Sequence, residues 1–307
     1  MTTTHKDSFA IHVESEKRKC PLCGSKEHSF AYFAEFKVNK VSYDRCKYCG
    51  AIFQNPLLTF DSLSAVYNSK AYWGTDDKDE YIYSSYSEQE SQYMREAARR
   101  YHLMAKSTRF EILQNIKVLE IGSGAGFSAV PFINNRIDIS GVEPSIDMAN
   151  HARNNFGMKV FLGLFEDLTF DKSSYNIVFT WGTSMNFREP EEVYRKVFHL
   201  LKPGGSLFLD FLDMNSIFSI YTYRKRKKGV HITCAPTRTG IKTVLEKCGF
   251  RTITFKRVFP YYSISFLASQ LDSALLKRIA KHYPFNKLGV YVPAFNFYIV
   301  QAVKQDE

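Results

Sequence analysis

Four cysteines stand at a spacing that suits metal binding. Cys20-Pro-Leu-Cys23 and Cys46-Lys-Tyr-Cys49 are separated by twenty-two residues, and a glycine follows each pair. Two such turns bring four thiolates to one point, which is the tetrahedral ligand set of a structural zinc ion. Because four protein ligands leave no open position, we expect this zinc to support the fold and not to take part in catalysis. Free buried cysteines and disulfides are the alternatives.

A glycine-rich turn is the second feature whose residues could bind a ligand. Gly122, Gly124 and Gly126 follow a predicted strand and precede a predicted helix. Glycine permits a sharp turn and the close approach of a ligand that a Cβ would block. A dinucleotide-binding turn would carry its third glycine at position 127, where this chain has Phe127. The spacing therefore argues against an NAD enzyme, and a tight turn without a ligand is the alternative.

Glu143 ends the next predicted strand, in the segment Glu143-Pro-Ser. A carboxylate at such a strand end can accept hydrogen bonds from both hydroxyls of a ribose. The alternative is an ordinary exposed glutamate. Together with the glycine turn, Glu143 indicates a nucleoside-containing ligand.

The elements that must position these residues alternate along the chain. Predicted strands cover residues 117–121, 137–143, 159–162, 175–180 and 206–210, and predicted helices cover residues 127–134, 145–155 and 191–201. This alternation predicts an α/β fold with a doubly wound, mostly parallel sheet.

The segments on either side of these elements have different sequence patterns. We predict a long helix over residues 88–113, little regular structure over residues 55–79, and a helix over residues 238–247 that Gly249 ends. Strand candidates over residues 252–258 and 296–303 would pair as an antiparallel hairpin at the sheet edge, and the insertion between them contains a predicted helix over residues 269–282. A connection this long usually has a function of its own.

The bulk composition limits the possible classes. The 307 residues are 45% hydrophobic and 15% aromatic, which supports a folded core. A net charge of +10 favours anionic partners such as nucleotides, phosphorylated sugars or RNA. No apolar run is long enough for a transmembrane helix. The first twenty residues lack the apolar core of a signal peptide, so we expect a reducing, cytoplasmic setting.

The ordered motifs resemble those of class I methyltransferases that depend on S-adenosylmethionine (SAM). These motifs are Glu120-x-Gly-x-Gly-x-Gly126, Glu143, Phe165-Glu-Asp-Leu168 and Leu200-Leu-Lys-Pro-Gly-Gly205. The similarity covers about residues 113 to 303. It is greatest to the branch of ubiquinone-biosynthesis O-methyltransferases and of enzymes from natural-product and polysaccharide clusters. This resemblance implies a Rossmann-like, doubly wound sheet of seven strands, of which the last is antiparallel.

The resemblance also implies a set of cofactor-binding residues. The three glycines would admit the methionine and ribose portions of SAM, Glu120 would position its amino-acid end, and Glu143 would bind its ribose diol. Phe165 would cover the adenine ring, and Glu166 or Asp167 would meet its exocyclic amine. The full implied set is Glu120, Gly122, Gly124, Gly126, Glu143, Phe165, Glu166, Asp167 and Trp181.

The candidate catalytic residues follow from their place in this family's fold. Relatives often carry an acidic residue and a histidine where this chain has Met185-Asn186, so a base at that position is in doubt. His231 lies in the stretch that caps the active site in relatives, and its titration near neutrality suits proton removal. Asp210 ends the fifth strand and is expected to face the same cleft. A structural role for His231 is the alternative.

The chain divides into four predicted parts. These are a zinc-binding module (1–55), a connector with the long helix (56–112), the SAM-binding core (113–235), and a C-terminal part with a helix, the edge hairpin and the capping insertion (236–307). Zinc modules precede methyltransferase domains in sugar C-methyltransferases and in a ribosomal RNA guanine methyltransferase family whose second pair contains histidine. Cys46 and Cys49 favour the first setting.

The leading hypothesis is methylation of a small molecule or glycan precursor. The basic run Arg224–Lys228 in the capping stretch would recognise an anionic group, as on a nucleotide sugar or a phosphorylated intermediate. The alternative is an RNA methyltransferase that grips RNA through the zinc module and the basic run. A third hypothesis is a non-catalytic SAM-fold binding protein.

Overall fold

The computed structural model describes residues 12–36, 39–67, 86–108, 115–216, 219, 232–269, 288–292 and 296–305. An N-terminal sheet of four strands comprises β1 (His28–Phe36), β2 (Asn39–Cys46), β3 (Ile52–Gln54) and β9 (Cys234–Ala235), in that spatial order. All of its neighbouring strands run antiparallel. The fourth strand comes from much later in the chain, so the N-terminal module is completed by a segment just over 180 residues away.

A seven-stranded sheet forms the centre of the fold. Its strands are β4 (Lys117–Ile121), β5 (Asp138–Glu143), β6 (Lys159–Leu162), β7 (Tyr175–Thr180), β8 (Leu201–Leu212), β10 (Thr252–Arg257) and β13 (Phe297–Val303). They lie in the order β10-β13-β8-β7-β4-β5-β6, and β13 alone runs antiparallel to its neighbours. This topology confirms the predicted doubly wound sheet with an antiparallel last strand.

Helices cover both faces of this sheet, as its buried strands require. The helices are α1 (Phe60–Tyr67), α2 (Tyr86–Thr108), α3 (Val130–Asn134), α4 (Ile146–Phe156), α5 (Pro190–Leu200), α6 (Arg238–Lys247) and α7 (Ile264–Ser269), with a 3-10 turn at Phe127–Ala129. A two-stranded ribbon pairs β11 (Tyr261–Ser263) with β12 (Gly289–Tyr291). No helix in the described ranges is long and apolar enough to cross a bilayer.

Helix α5 shows how the sequence pattern forms these elements. Its buried residues Val193, Tyr194, Val197 and Leu200 recur at helical spacing, and Pro190 occupies its first turn. The chain then enters β8 directly. Because this amphipathic pattern is clear, the predicted and observed bounds of the helix differ by only one residue.

Two predictions outside the core have different outcomes. The expectation of little regular structure over residues 55–79 was wrong at α1, a helix that buries Leu63, Val66 and Tyr67. Because those apolar residues are few and the helix has only eight residues, the local pattern was too weak to reveal it. The predicted helix over residues 269–282 lies outside the described residues beyond Ser269.

The cysteine-rich module and the core around the seven-stranded sheet share one hydrophobic cluster. Cys20, Leu22 and Cys46 pack in the same buried cluster as Ile241 and Val244 of α6. The fit is close, because a Cβ at Gly240 would lie 2.7 Å from Cδ1 of Leu22. The module is therefore packed onto the core.

Candidate functional site

A cavity of about 370 Å³ opens at the carboxyl ends of β4, β5, β7 and β8. This is the edge at which open α/β sheets bind ligands, and the volume is within the range of small-molecule pockets. The glycine turn, the strand ends and the segment after β6 form one side. Helix α2 and strand β11 contribute Gln92, Tyr93, Glu96, Arg100 and Tyr261 on the other.

The predicted glycine turn lines this cavity through Gly122 and Gly124. Gly122 has a φ of 75°, and a Cβ there would lie 2.3 Å from Oγ1 of Thr183. Gly126 has a φ of 89°, and its Cβ would lie 2.7 Å from Cβ of Ala152 in α4. Both glycines are therefore required by packing between protein segments, in addition to any ligand.

Glu143 lies at the junction of this turn and α4. Its Oε2 accepts a hydrogen bond from the Gly124 amide at 2.8 Å, and its Oε1 accepts one from the Ser145 amide at 2.9 Å. Burial raises the pKa of Glu143 to about 7, although these two bonds oppose the shift. The carboxylate lines the cavity with its orientation already set, and each oxygen has a further lone pair for a ligand.

Glu120, at the end of β4, is buried, and its Oε2 has no hydrogen-bond partner among the described residues. Burial raises its pKa well above the ordinary range, and a hydrogen bond with Ser128 and the Arg100 charge oppose this shift. Glu120 is not among the residues that line the cavity. A buried carboxyl oxygen without a partner fits a cationic group of a ligand.

Phe165 and Glu166 also line the cavity, beyond the end of β6. The Lys196 ammonium lies 4.7 Å from the Phe165 ring centroid and donates to the carbonyls of Phe165 and Glu166, which fixes this segment. Burial raises the pKa of Glu166, whose Oε1 accepts from the Arg188 amide at 3.3 Å. Asp167 is not among the lining residues, so the structure brings Glu166 and not Asp167 to the cavity.

Asp210 reaches the cavity but has both carboxylate oxygens engaged. Oδ1 accepts from the Gly182 amide at 2.6 Å, and Oδ2 accepts from Nη2 of Arg100 at 2.9 Å. Burial raises the pKa of Asp210, and the Arg100 charge opposes that shift. The Arg100 guanidinium lies 4.8 Å from the ring centroid of Trp181, which also lines the cavity. These contacts form a rigid wall at the mouth.

Sequence reasoning did not identify Arg100. The residue lies in the predicted long helix, 110 positions before Asp210, and only the fold brings the two together. A charged residue on an otherwise polar helix carries no local signal of pairing. His231 and the basic run Arg224–Lys228 lie outside the described residues.

The described cavity lining carries an excess of acidic groups. Glu96, Glu143, Glu166 and Asp210 face one cationic side chain, Arg100. This contrasts with the net charge of +10 of the whole chain. A cationic or hydrogen-bond-donating ligand suits such a lining better than a polyanion.

The four predicted zinc ligands lie together. Their sulfur atoms are all within 4.8 Å of one another, with 3.6 Å between Cys20 and Cys49 and 3.5 Å between Cys23 and Cys46. A tetrahedral zinc with sulfur ligands at ~2.3 Å requires separations of about 3.8 Å, so the cluster fits such an ion. The contact between the two sulfur atoms lowers the pKa of Cys20 to about 5 and raises the pKa of Cys49, because the two groups share one proton. Cys234 and Cys248 are buried and form no disulfide.

Comparison with known proteins agrees with this geometry. Residues 118–205 match the family model described as a methyltransferase domain. This part of the chain is therefore similar to a methyltransferase domain. The match spans the glycine turn, Glu143, Phe165 and Trp181, and its strands form the centre of the sheet.

Individual relatives also match only part of the chain. The chain is similar to the cypemycin N-terminal methyltransferase of a Streptomyces species, with 32% identity over 31% of this chain and 42% of that protein. It is similar to a tRNA U34 carboxymethyltransferase of Campylobacter curvus, with 26% identity over 45% of this chain and 49% of that protein. The YcgJ protein of Bacillus subtilis has the same fold, with a TM-score of 0.50 and 14% identity over 67% of this chain and all of that one. The matches thus span less than half the length of these two curated relatives.

Proposed function

We propose that this protein transfers the methyl group of SAM to a small molecule or glycan precursor. The observation that carries the proposal is the cavity at the strand ends, which is lined by the glycine turn and Glu143 within the matched methyltransferase domain. The substrate class rests on the composition of the lining.

The cavity residues suit the parts of SAM. Glu143 would accept the ribose hydroxyls, Phe165 would cover the adenine ring and Glu166 would accept its amine. Glu120, with its oxygen lacking a partner, would accept the methionine ammonium, and the Arg100 guanidinium would face the carboxylate. These assignments match each ligand group with a group of complementary charge or hydrogen bonding.

Bound SAM supplies a methyl group already activated on a sulfonium, so the protein's task is to position the acceptor in line and to exclude water. Arg100 and the Gly182 amide bind the two carboxylate oxygens of Asp210. We therefore assign Asp210 the role of orienting these groups at the mouth of the cavity. His231 is the proposed base for an acceptor that must lose a proton. Replacement of His231 by alanine would then lower turnover by roughly 100- to 10,000-fold without weakening SAM binding.

The lining also supports an acceptor whose two ends differ in charge. With Glu143 and Glu166 assigned to SAM and Asp210 bonded to Arg100, Glu96 is the remaining carboxylate among the described lining residues, which favours a neutral or cationic reacting end. The proposed partner of an anionic group on the acceptor is the basic run Arg224–Lys228. A nucleotide sugar, whose sugar is neutral and whose diphosphate is anionic, has this arrangement.

We also propose that the four cysteines hold one structural zinc ion. The support is the mutual approach of their sulfur atoms, and four thiolates complete the tetrahedral coordination that a structural zinc ion takes. This zinc would stabilise the N-terminal sheet and its contact with α6.

The first experiment is calorimetry of SAM and its demethylated product, S-adenosylhomocysteine, against the purified protein. Micromolar-range binding that Gly124→Val abolishes is expected, because the branched side chain would stand where Gly124 meets the cavity. No binding of either ligand to folded protein would refute the methyltransferase proposal.

The second experiment separates the acceptor classes. Methyl-labelled SAM is incubated with a small-molecule extract and with purified RNA, and the labelled fraction is identified. Label in the small-molecule fraction is expected. Label in RNA, together with RNA binding that falls steeply with salt and is lost when Arg224, Lys225 and Arg226 are neutralised together, would establish the RNA alternative.

A further inference from the structure

We propose that Thr233 is a positioning residue that couples the four-cysteine centre to the mouth of the cavity. The segment it holds, residues 182–188, is called the mouth loop below. The inference deepens the proposed function, on which its ligand-binding readout rests. It assigns the metal centre a role in shaping the site in addition to stabilising the module.

The contact with the mouth loop is formed by buried hydrogen bonds. The Thr233 hydroxyl donates to the carbonyl of Phe187 and lies 3.1 Å from that of Met185. The amides of Thr233 and Cys234 both donate to the Met185 carbonyl, at 2.9 Å and 3.1 Å. Because Thr233 is fully buried, water cannot replace the hydroxyl, and the Phe187 carbonyl depends on it. Phe187 itself lines the cavity.

The same segment is tied to the second cysteine pair. The Thr233 carbonyl accepts from the Gln54 amide at 2.9 Å, and β9 pairs with β3, which begins three residues after Cys49. The Thr237 hydroxyl donates to the carbonyl of Cys49 at 2.6 Å. Residues on both sides of β9 are therefore bonded to the chain that leaves the cysteine turn.

A second connection joins the chain before the first cysteine pair to the last residue of the mouth loop. Arg18, two residues before Cys20, donates from Nη1 to the carbonyl of Arg188 at 2.9 Å. Segments next to both cysteine pairs are thus bonded to the second half of the loop, at residues 185–188.

The small size of these elements makes the coupling strong. Strand β9 has two residues and β3 has three, so neither can keep its position without its neighbours. Four cysteines joined through one ion fix the turn from which β3 leaves. If the ion is removed, we expect β3 and β9 to loosen, and the Thr233 bonds to the mouth loop to weaken with them.

The test compares Thr233→Val with removal of the metal. Valine keeps the shape of threonine but lacks the hydroxyl. The matched control is Thr254→Val, since the Thr254 hydroxyl lies on exposed β10 and accompanies only a long contact of 3.5 Å to the Gln301 carbonyl. Three quantities are measured for each protein: zinc content, hydrogen–deuterium exchange of peptides spanning residues 182–188, and S-adenosylhomocysteine affinity.

Thr233→Val is expected to retain its zinc while exchange in the mouth loop rises roughly tenfold, the scale of one lost buried hydrogen bond. Wild-type protein stripped by a chelator should show the same local rise, and stripping Thr233→Val should add less than stripping wild type. S-adenosylhomocysteine should bind more weakly in both cases. Thr254→Val should match wild type.

Two results would overturn the inference. One is mouth-loop exchange in Thr233→Val equal to that of Thr254→Val. The other is an unchanged mouth loop in stripped, folded wild type. If stripping unfolds the whole chain, which exchange across all peptides would reveal, the Thr233→Val comparison decides alone. If wild type does not bind S-adenosylhomocysteine at all, the proposed function fails, whereas the exchange data still test the coupling.

Discussion

The pKa of Glu143 leads to a prediction about the pH dependence of ligand binding. Burial holds this pKa at about 7, against an ordinary value of 4.5. The ribose hydroxyls are donors, so they bind the ionised carboxylate better than the protonated acid. We therefore expect S-adenosylhomocysteine to bind more tightly as the pH rises through about 7.

The size of this effect follows from the ionised fraction. With a pKa of about 7, roughly one tenth of the carboxyl is ionised at about pH 6 and roughly nine tenths at about pH 8. If only the ionised form binds, the dissociation constant should fall by roughly tenfold over that range.

The stability of the free protein should change in the opposite direction. Between pH 4.5 and about 7 the folded state holds a proton that the unfolded chain has lost, so ionisation of Glu143 destabilises the fold as the pH rises. The shift from 4.5 to about 7 corresponds to about 3 kcal/mol for this buried group.

The assay is calorimetry at constant ionic strength across this pH range, with Glu143→Gln as the test variant and Glu120→Gln as the control. Glu120 also has a raised pKa, so the two variants identify which group titrates. The pH dependence should be lost in Glu143→Gln and kept in Glu120→Gln. A flat wild-type profile, or a slope that survives in Glu143→Gln, would refute the reasoning.

Three further predictions concern the metal, the glycine turn and the buried ion pair. Protein purified without added zinc should contain close to one equivalent of zinc. Cys46→Ser should lose the metal and have a lower melting temperature. An unchanged melting temperature in metal-free protein would contradict a structural role. In urea unfolding, Gly126→Ala should lower the free energy of unfolding by about 2 kcal/mol more than Gly157→Ala. Both glycines have a positive φ, but only a Cβ at Gly126 would clash with a neighbour. Equal losses would exclude the clash. Arg100→Met should lower the free energy of unfolding by about 3 kcal/mol, because the buried Asp210 carboxylate loses its cation. Adding Asp210→Asn should restore part of this free energy. No recovery would argue against the pairing.

The features predicted from the sequence are those with a local signature. The cysteine pairs, the glycine turn and Glu143 at its strand end each depend on spacing within a short segment. The strands of the central sheet were predicted from alternating apolar segments, and the observed topology with an antiparallel β13 confirms the fold class. Helix α6 was predicted with its observed bounds, Arg238–Lys247, because Gly249 follows it closely.

Contacts between segments far apart in the chain were decided only by the tertiary structure. Arg100 meets Asp210 across 110 residues, and β9 joins β3 across some 180, with no pattern in either segment that specifies its partner. The same holds for Asp210 itself: its position at a strand end indicated the cleft, but only the fold showed that both its oxygens are already bonded. Propensity, capping and periodicity are properties of neighbouring residues, whereas pairing across the fold depends on how the packed elements meet. The chemistry of the candidate site is therefore readable from short motifs, and the wall that α2 and β11 build around it is not.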